Sequence, residues 1–424
     1  MKPSATFTVV HAHESPIACL AAHTIRRSPP LPTMANSMIS ADDGGTLRHL
    51  PLSDQVNDDR CLLEPFGQAP GAVTAMTCHG VDVFCAVLDP DSGASRIMRF
   101  LFDLNSAGMN QPPRASSVVL ANDEINHMTL IAPLRIVLAT GDCGSVFAVA
   151  MDSLVLLGQW RAHGQMCIGV HLLAPLDNQQ LQVARALNRP LSIDLLSVSM
   201  GYSIKTWKVR LLGSKILGQP AVTSDLDLCT QLLPSLRGAP TSGTIYNPPI
   251  ICSYLSTTSH TCQFSSPPVH IFGLGGGSIL ALRQRPPRAS PQCTVTFPWP
   301  YQGNRTGPWR GWEGLELQST GHGYLVEQLA FVQGSNDQRL IVSGCTDGTL
   351  SIWDMSQLFV TGQPVSSVAS VGVKVSALAV AIANDSLVLG RAGPRNQQSV
   401  HDTQDKPGEA ASIDSSLIVT LLPR

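Results

Sequence analysis

Short runs of apolar residues recur along the chain, and polar turn residues separate them. The clearest group contains three such runs, Val326–Phe331, Leu340–Gly344 and Asp347–Asp354. The third run opens with an Asp-Gly pair, and apolar runs joined by Asp-Gly are a strong hairpin signal. The pattern predicts three antiparallel strands, the last two joined by a tight turn.

Two dipeptides bound this unit, Gly321-His322 before the first strand and Trp353-Asp354 at the end of the third. Together they mark one blade of a WD40 β-propeller. Weaker copies of the three-strand unit occur elsewhere. The third strands begin near Thr46, Arg96, Ser145, Ser203, Ser278, Thr349 and Ser416. The repeat therefore predicts an all-β fold, a seven-bladed WD40-type β-propeller.

The units lie further apart than this fold requires. Their spacing averages about 62 residues, against roughly 40–45 for a WD40 repeat. The excess falls in polar stretches rich in Pro and Gly, which are typical of surface loops. These long inter-strand insertions cover 105–117, 174–192, 213–244, 283–312 and 391–411. Seven blades with such loops use up residues 1–424, so we expect a single domain.

The ends of the chain are expected to meet. An open sheet edge invites mispairing, so a propeller ring needs to be closed. Residues 6–10 are strand-like and precede the first blade. We expect them to supply the outer strand of the last blade.

Four residues of the clearest unit form the expected structural tetrad of a WD40 blade: His322, Ser343, Asp347 and Trp353. Asp347 can accept a hydrogen bond from the His322 imidazole, and Ser343 can bond the other ring nitrogen and the Trp353 indole N–H. A His/Asp/Ser set also suggests a catalytic triad. We favour the structural role because the spacing is that of the repeat and the chain lacks a GxSxG elbow.

The other blades are expected to have lost this tetrad. The position of Asp347 is occupied by Gly44, Cys143, Gly201 and Gly276 in blades one, three, four and five. Only blade four keeps a third-strand tryptophan, Trp207. These blades should therefore depend on apolar packing.

Composition excludes several classes of function. The net charge is −2 and no long basic block is present, which argues against a nucleic-acid partner. The N-terminus has no apolar signal segment, and no uninterrupted apolar run is long enough to span a membrane. The 11 cysteines are scattered without a CxxC pair, which is typical of reduced thiols in a cytoplasmic or nuclear protein.

No cofactor or metal site is predicted. The glycines of 273–278 resemble a phosphate-binding loop, but a strand-like segment follows where such a loop needs a helix. His11 and His13 could share a metal ion, but no third or fourth ligand lies nearby in the sequence. Both segments are more typical of blade structure.

In the order of its units the chain resembles the WD repeat-containing protein 53 family. The similar stretches are 13–20, the double glycine 44–45, 122–126, 160–163, 196–207, 247–255, 269–274 and 321–354. The resemblance implies a non-enzymatic, seven-bladed propeller that binds other proteins. It also implies a second role, that of substrate receptor of a cullin-4 RING ubiquitin ligase.

The adaptor-binding box of such receptors has the form Trp-Asp-x-Arg, and this chain departs from it. Trp353-Asp354 is not followed by Arg, and Trp207-Lys208-Val209-Arg210 keeps Arg210 without the acid. The ligase role is therefore in doubt. Arg210 is either an adaptor contact or a solvated charge at a strand end.

A second candidate surface lies in the 283–312 insertion, expected between blades five and six. It contains aromatic and arginine residues, which are frequent interface anchors: Trp299, Tyr301, Trp309, Arg310 and Trp312. They could equally fold back over the propeller rim.

The sequence thus favours a monomeric interaction scaffold that works within a protein complex. The ligase receptor is the alternative within the binding class. A propeller hydrolase is the alternative from another class, and it would need His or carboxylate side chains converging from several inner strands. The inner-strand candidates 17–20, 72–76 and 375–380 are apolar instead.

Overall fold

The structure, a computed structural model, describes most of the chain. The described residues are 7–13, 15, 17–26, 34–51, 64–101, 116–121, 123–201, 203–213, 215–227, 250–257, 268–284, 312–317, 322, 325–333, 339–346, 348–355, 357–358, 364, 366–368, 375–380, 386–394 and 413–421. Strands dominate this part of the chain, which is an all-β propeller.

The strands form seven antiparallel sheets. Sheet 1 contains β2 (Ile17–Arg26), β3 (Met34–Asp42), β4 (Thr46–Pro51) and β5 (Glu64–Gln68); sheet 2, β6 (Ala72–His79), β7 (Asp82–Leu88), β8 (Ser95–Leu101) and β9 (Ser116–Ala121); sheet 3, β10 (Ile125–Ile131), β11 (Ile136–Gly141), β12 (Ser145–Ala150) and β13 (Leu156–Arg161). Sheet 4 contains β14 (Cys167–Leu172), β15 (Leu191–Ser199), β16 (Ser203–Leu212), β17 (Lys215–Ile216) and β18 (Ala221–Asp227).

The remaining sheets follow the same plan. Sheet 5 contains β19 (Ile251–Ser256), β20 (Val269–Leu274), β21 (Ile279–Gln284) and β22 (Trp312–Leu317); sheet 6, β23 (Val326–Gln333), β24 (Arg339–Cys345), β25 (Leu350–Asp354) and β26 (Ser366–Val368). Sheet 7 contains β27 (Val375–Val380), β28 (Ser386–Pro394), β29 (Ile413–Leu421) and the N-terminal strand β1 (Phe7–His13).

Six sheets use strands that are consecutive in the chain, and sheet 7 combines both ends of it. Strand β1 runs antiparallel to β29, with Phe7 opposite Thr420 and Val10 opposite Leu417. The first strand of each sheet also contacts the first strand of the next sheet, and β27 contacts β2. The first strands are therefore the innermost ones.

The core consists of apolar layers between neighbouring sheets. Between sheets 3 and 4, for example, the indole rings of Trp160 and Trp207 lie 6.3 Å apart within one buried cluster. Phe147 and Phe84 are fully buried in the cluster between sheets 2 and 3. Burial of one such aromatic side chain stabilises the fold by about 2–3 kcal/mol. Side-by-side packing of the sheets thus replaces a single central core.

A repeated turn joins the second and third strands of four sheets. It places a glycine at φ between 80° and 83°: Gly45, Gly144, Gly277 and Gly348. A Cβ on Gly144 would collide with the carbonyl oxygens of His163 and Gln165. This turn therefore requires glycine, both for its left-handed conformation and for the close approach of the backbone.

Two of the expected insertions contain regular structure. The 174–192 stretch, predicted as an irregular loop, contains the helix α1 (Asn178–Ala186), whose N-cap Asp177 accepts a hydrogen bond from the Gln179 N–H at 2.9 Å. The 213–244 stretch contains β17 and β18. The prediction was wrong there because these elements bury little apolar surface, so the sequence carries no clear periodicity.

The ends of the other insertions also differ from expectation. Strand β28 continues to Pro394, so Arg391 lies within a strand. Strand β21 ends at Gln284 and β22 begins at Trp312, so the aromatic segment connects two strands of sheet 5. It does not connect two blades, as the sequence suggested, because the outer strand of that sheet follows the insertion.

Candidate functional site

A polar relay links the second and third strands of sheet 6 to the loop that precedes its first strand. The Nε2 atom of His322 lies 2.8 Å from Ser343 Oγ, and the Trp353 indole N–H donates to the same oxygen at 3.1 Å. The other ring nitrogen, His322 Nδ1, lies 2.6 Å from Thr349 Oγ1. Asp347, the expected fourth member, lies outside the described residues.

Sheet 4 contains the same relay, which the sequence reasoning missed. His163 Nε2 lies 2.8 Å from Ser197 Oγ, and the Trp207 indole N–H donates to that oxygen at 2.8 Å. All three side chains are buried, with Ser197 fully inaccessible. The expectation that blade four depends on apolar packing alone is therefore wrong.

The spacing of the His, Ser and Trp residues explains why the relay recurs in sheet 4 and why the sequence pattern did not reveal it. In each sheet the histidine precedes the first strand by four residues, and the serine precedes the tryptophan by 10. The separation of histidine and serine differs, 34 residues in sheet 4 and 21 in sheet 6. Helix α1 accounts for most of this difference. The constant Ser-to-Trp spacing was the available signal.

The relay of sheet 4 has no acid. Gly201 occupies the position of Asp347, and His163 Nδ1 is buried without a hydrogen-bond partner among the described residues. Burial and the nearby Lys205 lower the pKa of His163 to about 4. The imidazole is therefore neutral at physiological pH, because desolvation and Lys205 outweigh the attraction of the Asp225 carboxylate for the cation.

Sheet 3 fixes its turn in another way. The buried Asp123 carboxylate accepts from the Cys143 N–H at 3.0 Å and from the Cys143 thiol at 2.7 Å. A Cβ at Gly141 would overlap the Asp123 carboxylate. The acid here comes from the loop before β10, because Cys143 stands where Asp347 stands in sheet 6.

Aromatic and histidine side chains meet on the first strands of sheets 3, 4 and 5 and on the second strand of sheet 5. The His171 ring lies 5.2 Å from the His127 ring and 4.8 Å from the Tyr254 ring, between centroids. Tyr254 OH lies 2.9 Å from His270 Nδ1, and desolvation lowers the pKa of both His127 and His270 to about 4. The sequence did not predict this convergence, because the four residues are widely separated in the chain.

The candidate partner-binding residues divide into three groups. Trp207 is 4% exposed and bonded to Ser197, so its expected role in partner contact is wrong: the indole is not at the surface. Arg210 is exposed on β16. Trp312 begins β22. Trp299, Tyr301, Trp309 and Arg310 lie outside the described residues.

The cysteine thiols resolved by the structure are free. Burial raises the pKa of Cys78 and of Cys167 to about 12, and it also raises the pKa of Cys85. High thiol pKa values disfavour thiolate chemistry. Within the described ranges no group of three or more His, Cys, Asp or Glu side chains is arranged to hold a metal ion. None of the helices described is both long and apolar enough to cross a membrane.

Comparison with known proteins identifies the fold. No protein-family model matches the chain, and no curated protein sequence matches it. Among solved structures, the WD40 β-propeller domain of Doa1 is similar, with a TM-score of 0.54 and 11% sequence identity over 97% of this chain and 95% of that one. At this identity the likeness shows the fold alone, so the chain has the WD40 β-propeller fold.

Proposed function

We propose that the chain is a non-enzymatic scaffold for protein–protein interaction. In this proposal all seven sheets form one WD40-type ring within a single domain of residues 1–424. Strand β1 closes the ring by completing sheet 7. The ring works as a monomer inside a larger complex, in the cytoplasm or the nucleus. WD40 propellers commonly serve as interaction scaffolds, and partners dock on loops that such a ring holds in fixed positions.

The observation that carries this proposal is the burial of the two relay serines and the hydrogen bonds that they already make. Ser343 and Ser197 are fully buried, and each hydroxyl oxygen already receives an indole N–H. A catalytic serine needs an oxygen that can reach a substrate. The tetrad formed by His322, Ser343, Asp347 and Trp353 is therefore best interpreted as a structural brace.

The histidines that meet between sheets 3, 4 and 5 support the same interpretation. His127 packs against His171, His171 packs against Tyr254, and Tyr254 OH lies 2.9 Å from His270 Nδ1. Among the described residues no group of three or more His, Cys, Asp or Glu side chains is arranged to hold a metal ion. A hydrolase of this fold would need carboxylates or a metal to activate water. Instead, His171 meets the Tyr254 ring edge-on and His270 stacks on it, so these rings fill space within and between the sheets.

Quantitative affinity purification of the tagged full chain tests the scaffold. A deletion of residues 1–13, which removes β1, serves as the ring-opened control. We expect defined proteins to co-purify in stoichiometric amounts with the full chain and to be lost with the control. A chain that purifies alone under mild conditions would contradict the proposal.

A second candidate is the ligase substrate receptor, and Arg210 is the observation that favours it. Its guanidinium is exposed, and it has no side-chain partner among the described residues. Lys208 replaces the acid of the box and lies 4.0 Å from Asp194. Binding of purified cullin-4 adaptor to the full chain, weakened by Arg210→Ala, would support this role. No binding, or equal binding by the variant, would reject it.

A further inference from the structure

The ends of sheets 2, 3 and 4 that carry the turns between their first and second strands adjoin one another. Arg99 of β8 donates to the Asp152 carbonyl at 3.2 Å, which links sheets 2 and 3. Arg185 of α1 donates to the Pro133 carbonyl, which links sheets 4 and 3. Helix α1 therefore lies on this end of the ring, beside sheet 3.

Helix α1 exposes apolar side chains on this end. Val183 is 48% exposed and Leu187, at the C-cap, is 56% exposed. Residues four apart share one face of a helix, so these two side chains lie together. Leu181 is the only buried residue of the helix. The outward face of α1 therefore presents an apolar pair that none of the described sheets covers.

Basic residues outnumber acidic ones in the part of the chain that carries this pair. The segment 173–217 carries six basic residues and two acidic ones, in a chain whose net charge is −2: Arg185, Arg189, Lys205, Lys208, Arg210, Lys215, Asp177 and Asp194. Leu191 pairs with Leu211, and Leu212 pairs with Lys215. Arg189 and Lys215 therefore lie at the same end of sheet 4 as the helix.

Most of the local acid is already engaged. The Asp177 carboxylate caps α1, and Asp194 lies 4.0 Å from Lys208. Arg189, Arg210 and Lys215 have no ion-pair partner among the residues that the structure describes. The surface defined by Val183, Arg185, Leu187, Arg189, Arg210 and Lys215, here called the α1 surface, thus combines uncompensated positive charge with exposed apolar area.

We propose that the α1 surface docks an acidic peptide segment that also carries apolar side chains. Carboxylates of the segment would pair with the arginines, and its apolar side chains would cover Val183 and Leu187. Arginines beside an apolar centre are the usual anchors of protein interfaces. Nucleic-acid interfaces are more polar and would leave the apolar pair uncovered. This inference rests on the proposed scaffold role and names the chemistry of one partner.

A peptide-display library of 16-residue random sequences, selected on the folded full chain, tests the inference. We expect the enriched peptides to combine Asp or Glu with Leu, Ile, Phe or Trp. Fluorescence anisotropy of one synthesised peptide should then show about a tenfold or greater loss of affinity for Arg185→Glu/Arg189→Glu. Raising NaCl from 0.1 to 0.5 M should also weaken binding, because salt screens exposed charges.

Matched variants separate the two kinds of contact. Arg185→Lys/Arg189→Lys keeps the charge and should lose no more than about threefold. Val183→Ser/Leu187→Ser should lose about fivefold or more, whereas Val119→Ser, which is 56% exposed on β9, should lose nothing. Because Arg185 also contacts the Pro133 carbonyl, Arg189→Glu alone provides a variant that removes no described contact.

Three outcomes would overturn the inference, the first two of which concern the selected peptides. One is enrichment of neutral or basic peptides; the other is acidic peptides whose affinity is the same for the wild type and for the charge-reversed variant. Binding of duplex DNA at the α1 surface in preference to the peptide would also overturn it. The scaffold proposal would survive each result if the co-purifying proteins remain bound to Arg185→Glu/Arg189→Glu.

Discussion

Sheets 4 and 6 solve the same structural problem with different residues. Each joins a histidine before its first strand to a serine and a tryptophan on later strands, with bonds between 2.8 and 3.1 Å. In sheet 6, His322 Nδ1 faces Thr349 Oγ1. In sheet 4, Gly201 stands at the acid position and His163 Nδ1 has no partner within the described part of the chain.

The difference shows which part of the relay these two sheets share. The His–Ser–Trp triplet persists where the turn acid is absent, so the triplet is the part that ties the strands together. Each buried hydrogen bond in it satisfies two polar groups that would otherwise be desolvated without compensation. Sheet 4 keeps these bonds although glycine occupies the turn position of the acid.

The largest expected effect is the loss of the serine in sheet 4. Ser197→Ala leaves both His163 Nε2 and Trp207 Nε1 buried without an acceptor or donor, at a cost of about 3–5 kcal/mol in unfolding free energy. Ser343→Ala should cost less, because His322 is only half-buried. Urea titration of both variants measures the two values. Equal and small losses would show that the relay does not stabilise either sheet.

Acid should destabilise sheet 4 through its histidine. The pKa of His163 is about 4 in the fold and about 6.5 when exposed, so the unfolded state binds more protons between these values. The contribution of neutral His163 is complete above about pH 6.5 and is lost as the pH falls toward 4, by about 2–3 kcal/mol. Gly201→Asp should reduce this loss, because a carboxylate favours the imidazolium. If the melting temperatures of the variant and the wild type fall equally as the pH is lowered, His163 is not the source of the acid sensitivity.

Restoring the acid should also stabilise the protein at neutral pH. Gly201 does not have a positive φ, and an added Cβ meets only the end of the Gln165 side chain, which can move. Gly201→Asp should raise the unfolding free energy by about 1 kcal/mol beyond Gly201→Ala, which adds the Cβ without the carboxylate. Calorimetry of the two variants measures the difference. No gain over the alanine variant would mean that His163 Nδ1 needs no partner.

The smallest effect on stability is expected from the loss of the contact between His322 Nδ1 and Thr349 in sheet 6. Thr349→Val removes the hydroxyl that faces His322 Nδ1 and keeps the shape of the side chain. The unfolding free energy should fall by about 0.5–1 kcal/mol, the usual value for one partly exposed hydrogen bond. A loss as large as that of Ser343→Ala would contradict the expectation that the bond at His322 Nε2 stabilises the fold more than the bond at Nδ1.

The sequence predicted the inner strands well and the outer parts poorly. The inner strands β6 and β27 begin at Ala72 and Val375, as the apolar pattern indicated. Strand β18 and helix α1 lay inside predicted loops. Inner strands are packed between neighbouring sheets and read as apolar runs. Outer strands and α1 contact the protein on one side only, so few of their residues must be apolar.

For the candidate site, the sequence predicted residues that lie within one repeat but not the contacts between different sheets. The positions of His322, Ser343 and Trp353 followed from one repeat. The position of His163 was not predicted because the turn acid that marks the tetrad in sheet 6 is replaced by Gly201 in sheet 4. The contact of His171 with Tyr254 could not be predicted, because it joins two sheets and depends on the small Gly169, where a Cβ would meet the tyrosine ring.

Amide hydrogen exchange of the full chain and of a chain lacking residues 1–13 tests most directly whether the two ends of the chain close one ring. Strand β1 pairs with β29 from Phe7 to His13. We predict slow exchange for the paired amides of β1, and fast exchange of β29 once β1 is removed, with a lower melting temperature. Fast exchange over residues 7–13 in the full chain, together with an unchanged β29 in the shortened one, would contradict the closed ring.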